Sequence, residues 1–314
     1  MKKFLHSFRG TCVFALLSIF FSSTATAQSV IEAGITLAPS NFLGDLGGNF
    51  GKGTGFVKDN NFSMTKVFFG AHVTVSPKEW YGVRFAANIG KLEGDDAIIK
   101  AKGGLEEGRK MRNQNFKSAL LEAFVAAEVF PTVFFEEDPS DVYHKLRPYG
   151  LIGVGVFHFN PKGLDPATGQ WVNLKELHTE GQGFKEYPDR PEYKLIQMNI
   201  PMGIGVKYWL SDNTSLGFEL VHRKTFTDYI DDVSTQYIDP QLFYDNLPLT
   251  QAVLAERMAD KTATGLSRTA PGSKRGTPQN NDSYYSFGFK LGIRLGTGSD
   301  RSFRNSTRCP VMRF

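Results

Sequence analysis

A glycine-rich run at residues 44–54 is the clearest candidate for a phosphate-binding loop. It reads Gly-Asp-Leu-Gly-Gly-Asn-Phe-Gly-Lys-Gly-Thr. Such a loop needs Ser or Thr directly after its Gly-Lys pair and a further Gly five residues before that pair. Here Gly53 follows Lys52, and Leu46 occupies the earlier position. The run therefore indicates a flexible surface loop, and no nucleotide or other cofactor is expected.

Histidine and acidic side chains are the other candidates for catalysis or metal binding. The histidines are scattered along the chain and indicate no zinc site: His72, His144, His158, His178 and His222. His222 beside a serine would suit a lipid-modifying hydrolase, but no convincing Ser-His-acid set accompanies it. We therefore expect a protein that is not an enzyme and that has no small-molecule substrate.

Two acidic clusters are candidates for calcium binding. The first contains Glu136, Glu137, Asp138 and Asp141, and the second contains Asp228, Asp231 and Asp232. Neither cluster has the Asp-x-Asp-x-Asp-Gly spacing of a dedicated calcium loop. Because exposed carboxylates are usually solvated, solvated charge is expected at both clusters rather than a metal ion.

Alternation of apolar and polar residues with a period of two recurs along the chain, and it is typical of strands with one apolar and one polar face. In the segment at 66–76, for example, Val73 and Val75 alternate with Thr74 and Ser76. The pattern predicts eight strands, at residues 30–37, 66–76, 81–90, 119–129, 149–159, 196–208, 216–223 and 285–295.

Eight such strands suit a soluble sandwich or lipocalin-like barrel, with the apolar face inside, or a membrane barrel, with the apolar face toward lipid. Three features favour the membrane barrel. The polar faces are rich in Gly, which fits a narrow interior. Tight connections alternate with long ones. Aromatic residues lie at strand ends, as in interfacial girdles: Trp80, Tyr81, Tyr208 and Tyr285.

These features predict an all-β fold: an eight-stranded antiparallel transmembrane barrel of the outer-membrane type at residues 28–295. Its turns would be short on the periplasmic side and its loops long on the extracellular side. Its surroundings would be the lipid bilayer of the outer membrane.

Nine charged residues fall on the polar faces and would point into the lumen: Glu32, Arg84, Glu122, Glu128, Lys207, Glu219, Arg223, Lys290 and Arg294. An ion path is one interpretation of this set. However, eight strands leave an interior just wide enough to fill with side chains, and acids and bases can pair across it. We therefore expect a plugged, charge-balanced lumen that does not conduct.

Residues 1–27 have the three parts of a secretory leader. Lys2, Lys3 and Arg9 form a basic start, residues 12–21 are apolar, and Ala-Thr-Ala at 25–27 is a small-residue cleavage site. A short membrane anchor is the alternative, but the apolar part falls short of the roughly 20 residues that a spanning helix needs. Export with cleavage after Ala27 is expected.

The charge, cysteine content and apolar content of the mature chain argue against nucleic-acid binding, an internal disulfide and wholesale disorder. Without the leader, 33 basic residues face 32 acidic ones, which is too balanced to neutralise a nucleic-acid backbone. Since Cys12 lies in the leader, Cys309 would be left without a partner for an internal disulfide. The apolar content of 41% excludes wholesale disorder.

Two loop segments, at 171–183 and 226–235, mix aromatic anchors with short polar residues. This composition is typical of loops that pack against another part of the protein or against a partner. One interpretation is that they pack on each other and cap the barrel, and the other is a partner site. The residues assigned to these roles are Thr179, Glu180, Gly181, Gln182, Gly183, Asp228, Tyr229, Asp231 and Asp232.

Four motifs carry a resemblance to a known family. They are Asn-Phe-Leu-Gly-Asp-Leu-Gly-Gly at 41–48, Thr-Glu-Gly-Gln-Gly at 179–183, Phe-Thr-Asp-Tyr-Ile-Asp-Asp-Val-Ser-Thr at 226–235, and Cys-Pro at 309–310. On these motifs the mature chain resembles the PorG-like outer-membrane barrels of Bacteroidetes-type bacteria. The resemblance implies a component of the type IX protein secretion machinery, associated with a periplasmic ring of PorK- and PorN-like proteins. The ending Cys-Pro-Val-Met-Arg-Phe departs from the shorter Cys-Pro-Arg-Phe expected of the family.

Residues 296–314, after the last strand, are expected to form a periplasmic tail that binds such a partner. The tail carries four arginines against Asp300, and Arg304, Arg308 and Phe314 are its candidate contacts. A disordered end is the other interpretation. The expected function is that of a structural anchor in the secretion machinery. The alternatives are a rim enzyme that modifies lipids and a stand-alone envelope- or surface-binding barrel.

Overall fold

The computed structural model describes residues 29–46, 62–100, 106–136, 142–262 and 269–295. The expected leader, most of the glycine-rich run, residues 137–141 of the first acidic cluster and the expected tail lie outside these ranges. Nine strands are described: β1 (Val30–Leu43), β2 (Lys66–Lys78), β3 (Tyr81–Asp95), β4 (Asn115–Val129), β5 (Leu146–Leu164), β6 (Trp171–Asn173), β7 (Ile196–Trp209), β8 (Thr214–Thr225) and β9 (Ser283–Leu295).

Eight of these strands form a closed antiparallel barrel in the order β1-β2-β3-β4-β5-β7-β8-β9, and β9 pairs back with β1. The short β6 pairs only with the end of β5. The prediction of an eight-stranded all-β barrel is confirmed. All eight barrel strands are longer than the alternation indicated. Four of them, β1, β3, β4 and β9, continue toward the long loops, β2 and β7 continue toward the short turns, and β5 and β8 continue in both directions.

The connections differ in length at the two ends of the barrel, as predicted. At the turn end, β2 and β3 are joined by two residues and β7 and β8 by four, and the β4–β5 connection holds a 3-10 turn, Pro131–Phe135, and a short helix. The opposite, loop end carries the long connections. The described helices are α1 (Glu106–Arg112), α2 (Val142–Lys145), α3 (Gln241–Asn246) and α4 (Leu249–Ala259).

Apolar side chains cover the outside of the barrel and charged side chains lie inside it. Ile204 is 68% exposed and Phe289 is 60% exposed, whereas Arg84 and Lys290 are buried. This orientation is the inverse of that in a soluble barrel, where the apolar face is buried. Among the described residues, no helix is long and apolar enough to cross a bilayer.

The aromatic girdle is only partly as expected. Trp80 and Tyr81 pack together at the turn end, with ring centroids 4.5 Å apart, and Tyr208 is exposed. Tyr285, assigned to the same girdle, is buried instead. It lies at the loop end of β9, where its hydroxyl accepts a hydrogen bond from Asn41 Nδ2 at 3.4 Å.

Two apolar clusters lie at the loop end. The rim cluster fills the mouth of the barrel and consists of Phe42, Leu46, Phe68, Leu92, Phe116, Leu120, Phe157, Phe159, Tyr193, Ile230, Val233 and Tyr284. The cap cluster lies within the long loops and consists of Leu174, Leu177, Phe184, Ile238, Phe243, Ala252, Ala255, Met258 and Ala259. We call the described parts of residues 165–195 and 226–282 the cap, because the rim cluster joins them to the barrel.

Because the outer wall is apolar, a cationic side chain introduced on the wall is expected to lower the free energy of unfolding more than one introduced on the cap. Ile204→Arg, in the middle of β7, is expected to lower the free energy of unfolding in lipid vesicles by about 2–4 kcal/mol. Leu249→Arg is the matched control, because Leu249 is 69% exposed but lies on the cap. Urea titration of both variants measures the difference, and equal free energies of unfolding would contradict a lipid-facing wall.

Candidate functional site

The middle of the lumen holds two acids and two bases in alternation. Arg84 Nη1 donates to Glu219 Oε2 at 2.8 Å, and the same guanidinium pairs with Glu128. Lys290 Nζ lies 3.6 Å from both Glu128 Oε1 and Glu219 Oε2. The Tyr149 hydroxyl donates to Glu219 Oε2 at 2.7 Å. Each buried ion thus has an opposite charge close by, which offsets much of its desolvation cost.

A second layer, nearer the loop end, is centred on Glu122. Its carboxylate accepts hydrogen bonds from Asn88 Nδ2 and Asn199 Nδ2, each at 2.7 Å. It also accepts from the Tyr284 hydroxyl at 2.9 Å and from Arg223 Nε at 3.2 Å. Glu122 is fully buried, and these four donors replace the water that the carboxylate loses on folding.

A third layer lies near the turn end. Lys207 Nζ donates to both carboxylate oxygens of Glu32, at 3.0 and 3.2 Å. The same ammonium lies 5.3 Å from the centroid of the Phe130 ring, and the Arg294 guanidinium lies 3.8 Å from that of Trp209. Arg294 is only partly buried, so it lies at the edge of the lumen. Paired side chains therefore occupy the lumen in three layers.

At the loop end, Glu180 is the main polar contact between the two loop segments that the sequence singles out. Its carboxylate accepts from the backbone N–H groups of Ser234 and Thr235, at 2.9 and 2.8 Å. It also accepts from Arg275 Nη1 at 2.7 Å. Glu180 is fully buried, so the segment at 179–183 is bound to the segment at 226–235 through a satisfied carboxylate.

Asp232 makes the second contact between these segments. Its carboxylate accepts from Thr179 Oγ1 at 2.5 Å and from the Tyr193 hydroxyl at 2.8 Å. Burial raises the pKa of Asp232 to about 6, although Arg275 and these two hydrogen bonds favour the charged form.

The backbone conformation explains why the Thr-Glu-Gly-Gln-Gly motif contains glycine at two positions. Gly181 and Gly183 have φ angles of +74° and +81°, a region that side-chain-bearing residues rarely adopt. A Cβ atom at Gly181 would lie 2.8 Å from Tyr187 Cδ2. The turn lets Gln182 Oε1 accept from the Glu180 backbone N–H at 3.0 Å, which orders the motif around its buried glutamate.

Most of the loop residues with an assigned partner or packing role make contacts inside the cap. The buried ones are Thr179, Glu180, Gly181, Gln182, Asp228, Asp231 and Asp232. Gly183 is exposed, and half-buried Tyr229 stacks on Tyr193 with centroids 4.9 Å apart. Arg304, Arg308 and Phe314 lie outside the described residues.

Buried Arg112, on α1, and Arg275, in the cap, are important at the loop end, and the sequence pattern did not indicate them. Arg112 pairs with both carboxylate oxygens of Asp96, at 2.7 and 3.0 Å. It also donates to the carbonyl oxygens of Arg275 and Asp45, at 2.6 and 2.7 Å. Its contact with Arg275 joins residues 163 positions apart, so no local spacing could signal it.

The candidate metal and catalytic residues are dispersed. In the described ranges, no group of three or more His, Cys, Asp or Glu residues is placed to hold a metal ion. Glu136, from the first acidic cluster, pairs with His144 and lies 3.3 Å from Arg147 Nη2 at the turn end. His222 lies on β8, in register with Met202 and Tyr285 of the two neighbouring strands.

A closed barrel with an apolar outside, paired charges inside, and short turns opposite long loops has the fold of the small outer-membrane β-barrels. The chain belongs to the family described as a domain of unknown function, DUF6089, whose model matches residues 11–243. No curated protein matches the chain in sequence.

Several solved outer-membrane proteins are similar to the chain. Ail, the attachment invasion locus protein of Yersinia pestis, is 8% identical, with 85% of this chain and 97% of that chain covered and a TM-score of 0.35. OprG from Pseudomonas aeruginosa is 12% identical, with 86% and 96% covered and a TM-score of 0.35. The fold assignment rests on the strand pairing and the burial pattern.

Removal of one charge from a lumen layer is expected to lower the free energy of unfolding strongly, because the remaining buried charges lose a partner. Glu219→Gln leaves Arg84 and Lys290 facing Glu128 alone, and a loss of about 3–5 kcal/mol in the free energy of unfolding is expected. Glu93→Gln is the control, because the side chains of Glu93 and its partner Lys66 are 27% and 33% exposed, and its loss should not exceed about 1 kcal/mol. Equal losses in urea titrations would contradict the assigned role of the lumen pairs.

The Glu180 contacts predict that the cap loosens separately from the barrel. Glu180→Gln weakens the bond to Arg275 and the bonds to the loop at 226–235, at a cost of about 2 kcal/mol. Amide hydrogen exchange at 226–235 should then rise more than about tenfold while the barrel strands stay protected. Glu186→Gln, on an exposed cap residue, should change neither region. Unchanged exchange at 226–235 in the Glu180 variant would count against this contact.

Proposed function

We propose that the protein is a non-catalytic barrel of the outer membrane that serves as a structural anchor in the type IX protein secretion machinery. The observation that carries the proposal is that the barrel's own side chains occupy both the lumen and the loop end. Ion pairs fill the lumen, and the cap lies over the rim cluster. The turn end therefore offers the natural surface for a periplasmic partner.

Location in the outer membrane is supported by the apolar outer wall together with the leader expected at residues 1–27. An exposed side chain such as Ile152, which is 60% exposed, is stable in that position when acyl chains cover it. The bilayer is thus the first partner of the barrel. The leader and the tail, as expected from the sequence, are parts of the same proposal.

The turn end has the chemistry of a docking surface. In the β4–β5 connection, Phe134 is 62% exposed and Phe135 is 70% exposed. Leu210, in the β7–β8 turn, is 58% exposed. β9 ends at the same side of the barrel, so the tail with Arg304, Arg308 and Phe314 begins there. Aromatic and arginine side chains are the groups most often responsible for binding energy at protein interfaces.

The identity of the partners comes from the resemblance to the PorG-like barrels. Two of the motifs that carry this resemblance, at 179–183 and 226–235, make the contacts that close the cap. A PorG-like role implies a periplasmic ring of PorK- and PorN-like proteins as the partners at the turn end. Neither nucleic acid nor a small-molecule substrate has a place in this proposal.

A stand-alone surface-binding barrel is a second candidate, favoured by one feature of the cap. On α4, Leu249 and Val253 are 69% and 43% exposed. They are four residues apart and therefore lie on the same face of the helix. A partner outside the cell would contact this face rather than the turn end.

Affinity purification of the full chain from detergent, with cross-linking, separates the two functions. Ring proteins are expected to co-purify with the wild type. They should fall about tenfold or more in a Phe134→Ser, Phe135→Ser variant, because an aromatic hot spot contributes about 2 kcal/mol or more. The matched control is a Leu249→Ser, Val253→Ser variant on the cap, which should retain them.

Deletion of residues 296–314 tests the tail in the same experiment, with heat-modified gel mobility as the check that the barrel has folded. Loss of ring proteins only in the truncated chain would assign the contact to the tail. Recovery of no periplasmic ring protein with any form would reject the secretion role.

A further inference from the structure

Four aspartates from three separate segments lie together where the cap joins the rim. Asp45 follows β1, Asp228 and Asp231 follow β8, and Asp282 immediately precedes β9. Asp231 Oδ2 accepts from the Leu46 backbone N–H at 3.0 Å, which places it beside the end of β1. Asp282 Oδ2 accepts from the backbone N–H of Ile230 at 2.8 Å. We call these four residues the rim aspartates.

Two of the rim aspartates have carboxylate oxygens without a hydrogen-bond partner among the described residues. Asp282 is fully buried and its Oδ1 has no partner, and Asp228 is 6% exposed and neither of its oxygens has one. The Ser234 hydroxyl lies near enough to favour the charged form of Asp228, but it is not at hydrogen-bonding geometry. A buried carboxylate oxygen with no donor is costly, so these oxygens need a partner.

The two arginines near the rim aspartates have other hydrogen-bond partners. Arg112, on α1, donates to Asp96 and to two backbone carbonyls, and Arg275 donates to Glu180. Lys274 favours the charged form of Asp45. The charged groups that face the four carboxyls are Arg112, Lys274 and Glu180, with Asp96 and Arg275 just behind them.

A cluster of this kind is stabilised either by a cation or by protons. The described residues contain no group of acids placed to hold a metal ion. A protonated carboxyl, by contrast, gains an O–H donor, and that donor can supply the bond that a neighbouring carboxylate oxygen lacks. We propose that protons held among Asp228, Asp231 and Asp282 keep the cap seated on the barrel rim, and that the cap is released as these protons are lost.

The electrostatics support this assignment. Burial, with a further contribution from Asp45 and Glu180, raises the pKa of Asp228 to about 8. Burial and neighbouring aspartates also raise the pKa values of Asp231 and Asp282 well above the ordinary value. In an undocked loop the same groups titrate near pH 4.

The sign of the pH dependence follows from these shifts. Because the seated cap holds more protons than the released cap between about pH 4 and pH 8, seating is strongest at low pH and weakens as pH rises. Each proton released changes the seating equilibrium by up to about tenfold per pH unit within this window.

Hydrogen exchange of the full chain in lipid nanodiscs measures this effect. Peptides that cover 226–235 are compared between about pH 6 and pH 9, with labelling times corrected for the intrinsic exchange rate. Protection at 226–235 is expected to fall about tenfold or more over this range, while the barrel strands stay protected. Infrared spectra at neutral pH should contain the carbonyl band of a protonated carboxyl group.

An Asp228→Asn, Asp282→Asn variant keeps the side-chain shape and removes two titrating groups. Its protection at 226–235 is expected to vary less steeply with pH than in the wild type, because only Asp231 of the three proposed proton carriers remains, and the infrared band should be reduced. Asp189→Asn, on an exposed cap residue, is the matched control and should retain both the pH dependence and the band.

Three results would overturn the proposal: pH-independent protection in the wild type, unchanged pH dependence in the double variant, or absence of the infrared band. Protection at high pH that requires added calcium would replace the protons by a cation and would also overturn it. If the double variant does not fold, the wild-type titration and the infrared band decide the question alone.

Discussion

A buried charge in a narrow lumen needs an opposite charge within a few ångströms, and this requirement organises the whole barrel. Because the middle of the outer wall is apolar, the charges of the three lumen layers lie on the inner face, where eight strands enclose little space. The bond from Arg84 on β3 to Glu219 on β8 crosses that space. It therefore connects two walls that share no ladder of backbone hydrogen bonds. A slip of one residue in any strand would turn its charges toward lipid, so the lumen pairs also select the register.

The same requirement acts in the cap, with a different balance of charge. Glu180 has Arg275 as its partner, and Asp96, just outside the cap, has Arg112, so each of these buried carboxylates has a cation beside it. Asp228 and Asp282 lie among other carboxyls, and burial raises the pKa of each. The lumen is thus balanced by fixed cations, whereas the rim aspartates are sensitive to the proton concentration outside. Because cationic side chains neutralise the acids of the lumen, the barrel keeps the same structure as pH changes. Because protons neutralise the rim aspartates, the cap is the part that responds to pH.

The alternation of residues was enough to predict the strands and their two faces, because a period of two is a local property of a strand. The inversion of the barrel was predicted from the glycine-rich polar faces, the alternating connection lengths and the aromatic residues at strand ends. Arg84, Lys207 and Lys290 could be assigned to the lumen for this reason. Their partners could not be assigned, since pairing depends on which strands face each other across the closed sheet. Burial of Tyr285 was missed because a strand pattern does not show where the wall ends and the cap begins. Arg112 and Asp282 had no local signal, as their contacts join segments far apart in sequence.

The cap and the lumen are packed separately, and this separation determines the role that each can have. Tyr284 closes the Glu122 layer from above, with its hydroxyl bonded to the carboxylate and its ring in the rim cluster. Tyr193 and Ile230 reach the same cluster from the cap side. The rim cluster therefore lies between the cap and the ion pairs of the lumen. The proposed contacts at the turn end would be made by a wall that the lumen pairs hold together, and a wall of this kind would suit an anchor for a larger assembly.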